Sequence, residues 1–184
     1  MRSQGRTGIR RLAVLAVFAA FAMILSYVEI LIPFSFGIPG IKLGLPNLMT
    51  VLILYIGSDR SFSVRLADAA IVLIIRIVTV SLLFTDVYAM LYSLCGGIIS
   101  LLCMWLLSRS DRVSPVGCSI CGGIMHNAGQ LLVAVAIVSQ LKLVYYLPVL
   151  LLAGTITGFL TGILSGLILN RRGVQESYDR FFEG

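Results

Sequence analysis

The chain is a succession of apolar runs, each close to the thickness of a lipid bilayer, with basic residues gathered between them. The runs extend from about Leu12 to Ile32, Leu43 to Ile56, Leu66 to Phe84, Val87 to Leu107, Val116 to Val138 and Leu143 to Leu169. A helix of about 20 residues, rising about 1.5 Å per residue, spans the ~30 Å hydrocarbon core. These runs are too long and too continuous for helices with one face in water. The composition agrees: 59% of the residues are hydrophobic and 12% charged, against about 45–50% and 25% in soluble domains. The pattern predicts an all-α, polytopic membrane domain of six transmembrane helices over residues 1–172, followed by a polar tail over residues 173–184.

The first run follows Arg2, Arg6, Arg10 and Arg11 and has the layout of a signal peptide, but its length argues for a retained span. The apolar region of a signal peptide is usually only about 7–15 residues long. The second run is short, and the segment before it, from Pro33 to Asn47, is rich in Pro and Gly. Such a segment is predicted to be an irregular loop that re-enters the protein and supplies part of the missing length.

Charge sets the orientation, because cytoplasmic loops of membrane proteins collect Lys and Arg. With the N-terminus inside, Arg2, Arg6, Arg10, Arg11, Arg60, Arg65, Arg109, Arg112, Arg171, Arg172 and Arg180 are cytoplasmic, while only Lys42 and Lys142 lie outside. The expectation is a multi-pass protein of the cell membrane with both termini in the cytoplasm. The net charge of +6 therefore marks sidedness and gives no reason to expect nucleic-acid binding.

Polar residues within the spans are the candidates for function, since a charge at the bilayer centre costs about 2.5–3.5 kcal/mol on insertion scales. Arg76 is deep in the third span, where it either contacts a ligand or takes a structural partner such as Asp86 or a cluster of helix carbonyls. Asp68, nearer the cytoplasmic end, pairs with Arg65 or Arg60 on this reading. His126 and Gln130 are one turn apart in the fifth span and Asn127 is about 100° round from His126. The three line a polar cavity or serve as interhelical hydrogen bonds. Lys42 and Asn47 in the glycine-bearing loop would, with Arg76, suit an anionic group. Glu29 is either a cavity acid or an interfacial residue.

Other motifs read as packing. Cys118 and Cys121 form a CxxC without a thioredoxin-like setting, the single histidine is five residues on, and four cysteines in apolar runs make no disulfide scaffold. No metal or cofactor is expected. Gly154, Gly158, Gly162 and Gly166 repeat every four residues and present a narrow face for a close helix contact, and Ala16 and Ala20 give the first span a similar small-residue surface. No phosphate loop, zinc-protease motif or pair of aspartate-rich clusters is present, so the chain is not expected to be an enzyme.

The AxxxA of Ala16 and Ala20, the Gly/Pro loop and six spans in so short a chain resemble the substrate-binding S-components of energy-coupling-factor (ECF) vitamin transporters. PGIKLGLPNL (Pro39 to Leu48) and GGIMHNAGQLLVA (Gly122 to Ala134) are more specifically similar to the Gx transporter family, also called heptaprenyl diphosphate synthase component I. The S-component resemblance implies that the first loop closes over a small-molecule ligand, that Ala16 and Ala20 meet an ECF transmembrane scaffold, and that partner subunits hydrolyse ATP. Lys42, Asn47, Arg76, His126, Asn127 and Gln130 become candidate binding residues by their polarity. The family's other name implies a different role, a non-catalytic membrane partner of a polyprenyl diphosphate synthase or of quinone and electron-transfer machinery. A third reading, a structural subunit docking through Gly154 to Gly166, needs no ligand.

Overall fold

A computed structural model describes residues 2–31, 44–56, 62–171, 173, 174, 176 and 178. The described chain is all-α. It consists of α1 (Arg2–Leu31), α2 (Asn47–Tyr55), α3 (Phe62–Phe84), α4 (Val87–Leu107), α5 (Pro115–Val138), a 3₁₀ helix (Leu141–Tyr146) and α6 (Leu147–Leu169). Among the described residues five helices are long and apolar enough to cross a membrane, namely α1, α3, α4, α5 and the 3₁₀ helix continued into α6. The exception is α2. Its 9 residues extend only about 13 Å, less than half the hydrocarbon core.

Local chemistry fixes the helix ends. Asp86 caps α4 by accepting from the Ala89 amide at 2.7 Å, so it is not the partner of Arg76. Ser114 caps α5, accepting from the Gly117 amide at 3.2 Å, and Pro115 follows in the first turn, where its missing N–H costs nothing. At its other end α5 stops at Ser139, which takes the left-handed conformation (φ 54°), and the 3₁₀ helix then leads to Pro148 in the first turn of α6. The short α2 begins later than expected because Gly44 is left-handed (φ +87°) and Leu45 and Pro46 form a turn before Asn47.

The antiparallel helices α5 and α6 pack through glycine. A Cβ on Gly154 would meet the Gly123 carbonyl oxygen at 2.6 Å, one on Gly158 the Ser119 oxygen at 2.6 Å, and one on Gly162 the Val116 Cα at 2.8 Å. The seam stops there, since a Cβ on Gly166 would find no atom within 4 Å. The glycine face is thus engaged inside the chain rather than offered to a partner over its first three positions. The pair α4 and α5 uses the same device, with a Cβ on Gly129 only 2.8 Å from the Gly96 Cα. Without a hydrophobic drive between helices in lipid, close backbone approach and hydrogen bonds supply the association. The short α2 is enclosed by this frame, with Asn47 through Leu54 buried, and α1 packs mainly along α3.

The end of the bundle where α1 begins and α6 ends holds the ion pair of Arg11 and Asp68. Nε donates to Oδ1 at 2.7 Å and Nη2 lies 2.6 Å from the same oxygen. Asp68 thereby bridges α3 to α1, while Arg65 Nη1 donates to the Leu54 carbonyl at the end of α2 at 2.9 Å and Arg60 lies outside the described residues. Asp68 is 1% exposed and Arg11 38%, so Arg11→Ala is expected to lower stability by about 1–3 kcal/mol, the cost of weakening a buried acceptor's pairing. Thermal unfolding of the purified protein in detergent checks this, with Arg11→Lys recovering part of the loss.

Candidate functional site

Away from the termini, the polar residues of four elements gather around Gly44. Ser26 and Glu29, three residues apart on one face of α1, are both buried, as is Arg76 on α3 at 4% exposure. Arg76 Nη1 donates to Ser26 Oγ at 3.2 Å, and Glu29 is the charge that acts on the guanidinium. Nη2 is buried and makes no hydrogen bond. Glu29 Oε1 also accepts from the backbone amides of Gly44, in a short hydrogen bond, and of Leu45 at 3.4 Å. The carboxylate that holds the chain segment leading into α2 thus also lies near a helix-borne cation.

The segment sits hard on α5. A Cβ on Gly44 would lie 3.1 Å from Asn47 Nδ2 and 3.2 Å from the His126 ring, so only glycine both adopts this φ and fits this space. Below it Gln130 and His126 join side chain to side chain at 3.1 Å, as expected of residues one turn apart. Asn47 Nδ2 donates to Ser100 Oγ on α4 at 3.3 Å, and the Ser100 hydroxyl donates to the Gly122 carbonyl on α5 at 2.8 Å. The start of α2 is thus tied to both α4 and α5.

Of the residues singled out by sequence, Asn47, Arg76, His126 and Gln130 fall around this segment. Asn127 is buried but turned elsewhere, its amide donating to the Leu150 carbonyl of α6 at 2.8 Å, while its Oδ1 makes no hydrogen bond. Lys42 lies outside the described residues. Ser26, Ser100 and Gly44 were not expected. Ser26 has a legible signal, a hydroxyl one turn before the only acid of an apolar run, whereas Ser100 is one of many serines in the spans and becomes visible only through its neighbours.

Three of the four thiols form a separate group, nearer the end of the bundle where α1 begins and α6 ends. Cys103 and Cys121 meet across α4 and α5 with 3.4 Å between sulfurs, and Cys118 Sγ donates to the Met104 carbonyl at 3.3 Å. Among the described residues no His, Cys, Asp and Glu side chains cluster in a way that could hold a metal ion. Ala16 and Ala20 lie on the exposed side of α1, beside the exposed Leu12, Val17 and Phe21.

The family model described as heptaprenyl diphosphate synthase component I matches residues 18–168. The chain belongs to that family. The matched stretch runs from within α1 almost to the end of α6 and contains every residue of the cluster around Gly44. Comparison with curated proteins and with solved structures gave no match. The Ser26 and Ser100 hydroxyls and the Gly44 and Leu45 amides are all engaged within the cluster, whereas Arg76 Nη2 is a buried donor that makes no hydrogen bond, in a setting where an unmade bond is costly.

Proposed function

We propose that this protein is the substrate-binding membrane subunit of an ECF-type importer for a small anionic solute. The observation that carries the reading is Arg76, a buried intramembrane guanidinium whose Nη2 donates to nothing while it faces a cluster closed by a glycine-bearing segment. Retaining such a cation among apolar helices costs stability and is common where a transport pathway or ligand needs it. The segment from Gly44 to Asn47, seated by Glu29 and Ser100, is suited to cover a solute held between Arg76 and the His126–Gln130 pair. ATP hydrolysis would fall to partner subunits, with the ECF scaffold meeting the exposed Ala16 and Ala20 surface. The distribution of basic residues supports a location in the cell membrane with both termini in the cytoplasm.

The family description supports a second reading, in which the protein is a non-catalytic membrane partner of a heptaprenyl diphosphate synthase. The two differ in what travels with the protein. In a tagged pull-down from native membranes in mild detergent, a transmembrane scaffold and paired ATPases are expected to co-purify and to be lost with Ala16→Trp and Ala20→Trp. Those side chains point away from the bundle, so the variants remain folded. Recovery of a polyprenyl diphosphate synthase with no ATPase would replace the importer reading by the second one.

A further inference from the structure

Where α5 hands over to α6, at the end of the bundle opposite the termini, two apolar grooves run together. One, of about 410 Å³, is lined by Ala128, Leu131, Leu132 and Val135 of α5 together with Leu141, Val144 and Leu147. The other, of about 440 Å³, shares Leu141 and Val144 with it and adds Lys142 and Tyr145. The 3₁₀ helix that roofs them buries none of its residues. Leu141 is 79% exposed and Tyr145 85%, the behaviour of side chains that sit at a membrane–water interface.

We propose that this double groove binds one anionic lipid, its chain lying along Leu131, Leu132 and Val135 and its headgroup meeting Lys142. Water does not suit the lower groove, whose walls are aliphatic and offer no hydrogen-bond partner. A void there would forfeit the dispersion contacts of every lining side chain, so a hydrocarbon chain is the occupant. The chain confers little selectivity, because bulk lipid tails are as apolar as leucine. The headgroup is chosen by charge. Lys142 forms no ion pair with a described residue, and the sequence contains no Asp or Glu between Asp111 and Glu176. A lysine at this position extends its ammonium to the interface while its stem covers apolar surface. A third groove provides an internal contrast. Of about 400 Å³, it lies between α4 and α5 in the same half of the bundle and is lined by residues such as Leu91, Cys95, Ile98 and Ile137 without any charged side chain. It should take any chain without regard to headgroup.

The test is lipid add-back to the delipidated full-length protein, using phosphatidylglycerol and phosphatidylcholine with identical chains and counting bound lipids by native mass spectrometry. The protein is expected to prefer one phosphatidylglycerol by about fivefold, the size of a single basic residue's contribution at an anionic membrane surface. Lys142→Ala should abolish the preference, Lys142→Arg should keep it, and Leu132→Trp should expel that lipid by filling the groove. Ile98→Trp, in the uncharged groove, should leave the preference intact. Equal retention of the two lipids by the unmodified protein would overturn the proposal, as would a preference that survives Lys142→Ala. Lys142 is exposed at the surface, so its variants fold and each outcome is readable.

Discussion

Gly154→Leu and Gly158→Leu should each prevent α5 and α6 from closing and leave little folded protein. The atoms that a side chain would strike are backbone, the Gly123 carbonyl at 2.6 Å from a Cβ on Gly154 and the Ser119 carbonyl at 2.6 Å from one on Gly158. Overpacking against flexible side chains costs about 1–3 kcal/mol. Here no rotamer change relieves the clash, so the helices must separate by the width of a side chain. That separation also strains the Asn127 bond to Leu150 and the hydroxyl pair of Ser119 and Thr161, at 2.8 and 2.9 Å. The expected result is loss of the monodisperse peak of a fluorescent fusion in size-exclusion chromatography, with only aggregate remaining. Gly166→Leu is the matched control, since nothing lies within 4 Å of its Cβ position, and it should behave like the unmodified protein. An equal loss at Gly166 would mean that leucine harms α6 through insertion or helix shape, and the seam would not be the cause.

This contrast also shows how far sequence carries. The spacing of Gly154, Gly158 and Gly162 announces a close helix contact, but four-residue periodicity continues to Gly166 although contact does not. A straight helix keeps its glycines on one face, whereas the partner runs out: the last seam residue, Gly162, already meets Val116 in the first turn of α5. Helix existence was legible throughout because hydrocarbon thickness imposes a length that few other structures need. The exception, α2, was legible as a shortfall, and its start at Asn47 follows from the left-handed Gly44 and the turn at Pro46, which a hydropathy pattern does not register.

The polar cluster was legible in its members and less so in its connections. Arg76, His126 and Gln130 stand out because polar side chains are rare in such runs. Their partners are chosen by three-dimensional register, which one chain's spacing does not fix. Asp68 finds Arg11, 57 positions away, while the neighbouring Arg65 reaches the carbonyl at the end of α2. Asn127 belongs to the same polar triplet as His126, yet the 100° turn between them sends it to α6. Glu29 was ambiguous by position alone. Its meaning comes from the chain segment that returns to it, since carboxylate and amides are brought together only once α1 and α2 are both packed.

Removing the Glu29 carboxylate should therefore cost more than removing any other single side chain of the cluster. Glu29→Ala takes away the countercharge of a guanidinium that is 4% exposed and the acceptor used by the Gly44 and Leu45 amides. Glu29 acts on the guanidinium as a nearby charge, so the expected loss is about 1–3 kcal/mol, the cost of leaving buried polar groups without their acceptor. Arg76→Met carries the same kind of penalty on Glu29. The double variant Glu29→Gln with Arg76→Met buries no unpaired charge and keeps an acceptor for the two amides. It is expected to be more stable than the sum of the single changes by about 1–3 kcal/mol, the range for residues that share a network. Thermal midpoints of the four proteins in lipid nanodiscs measure the coupling. Strict additivity would show that the two side chains do not share energy, and α1 and α3 would then be joined by packing, the Arg11–Asp68 ion pair and the Arg76–Ser26 hydrogen bond. Glu29→Gln by itself separates the two roles of the carboxylate. If it keeps the 44–47 segment seated, seen as slow amide exchange at Leu45, the amides need only an acceptor. If the segment loosens as much as in Glu29→Ala, the charge beside Arg76 is what holds it down.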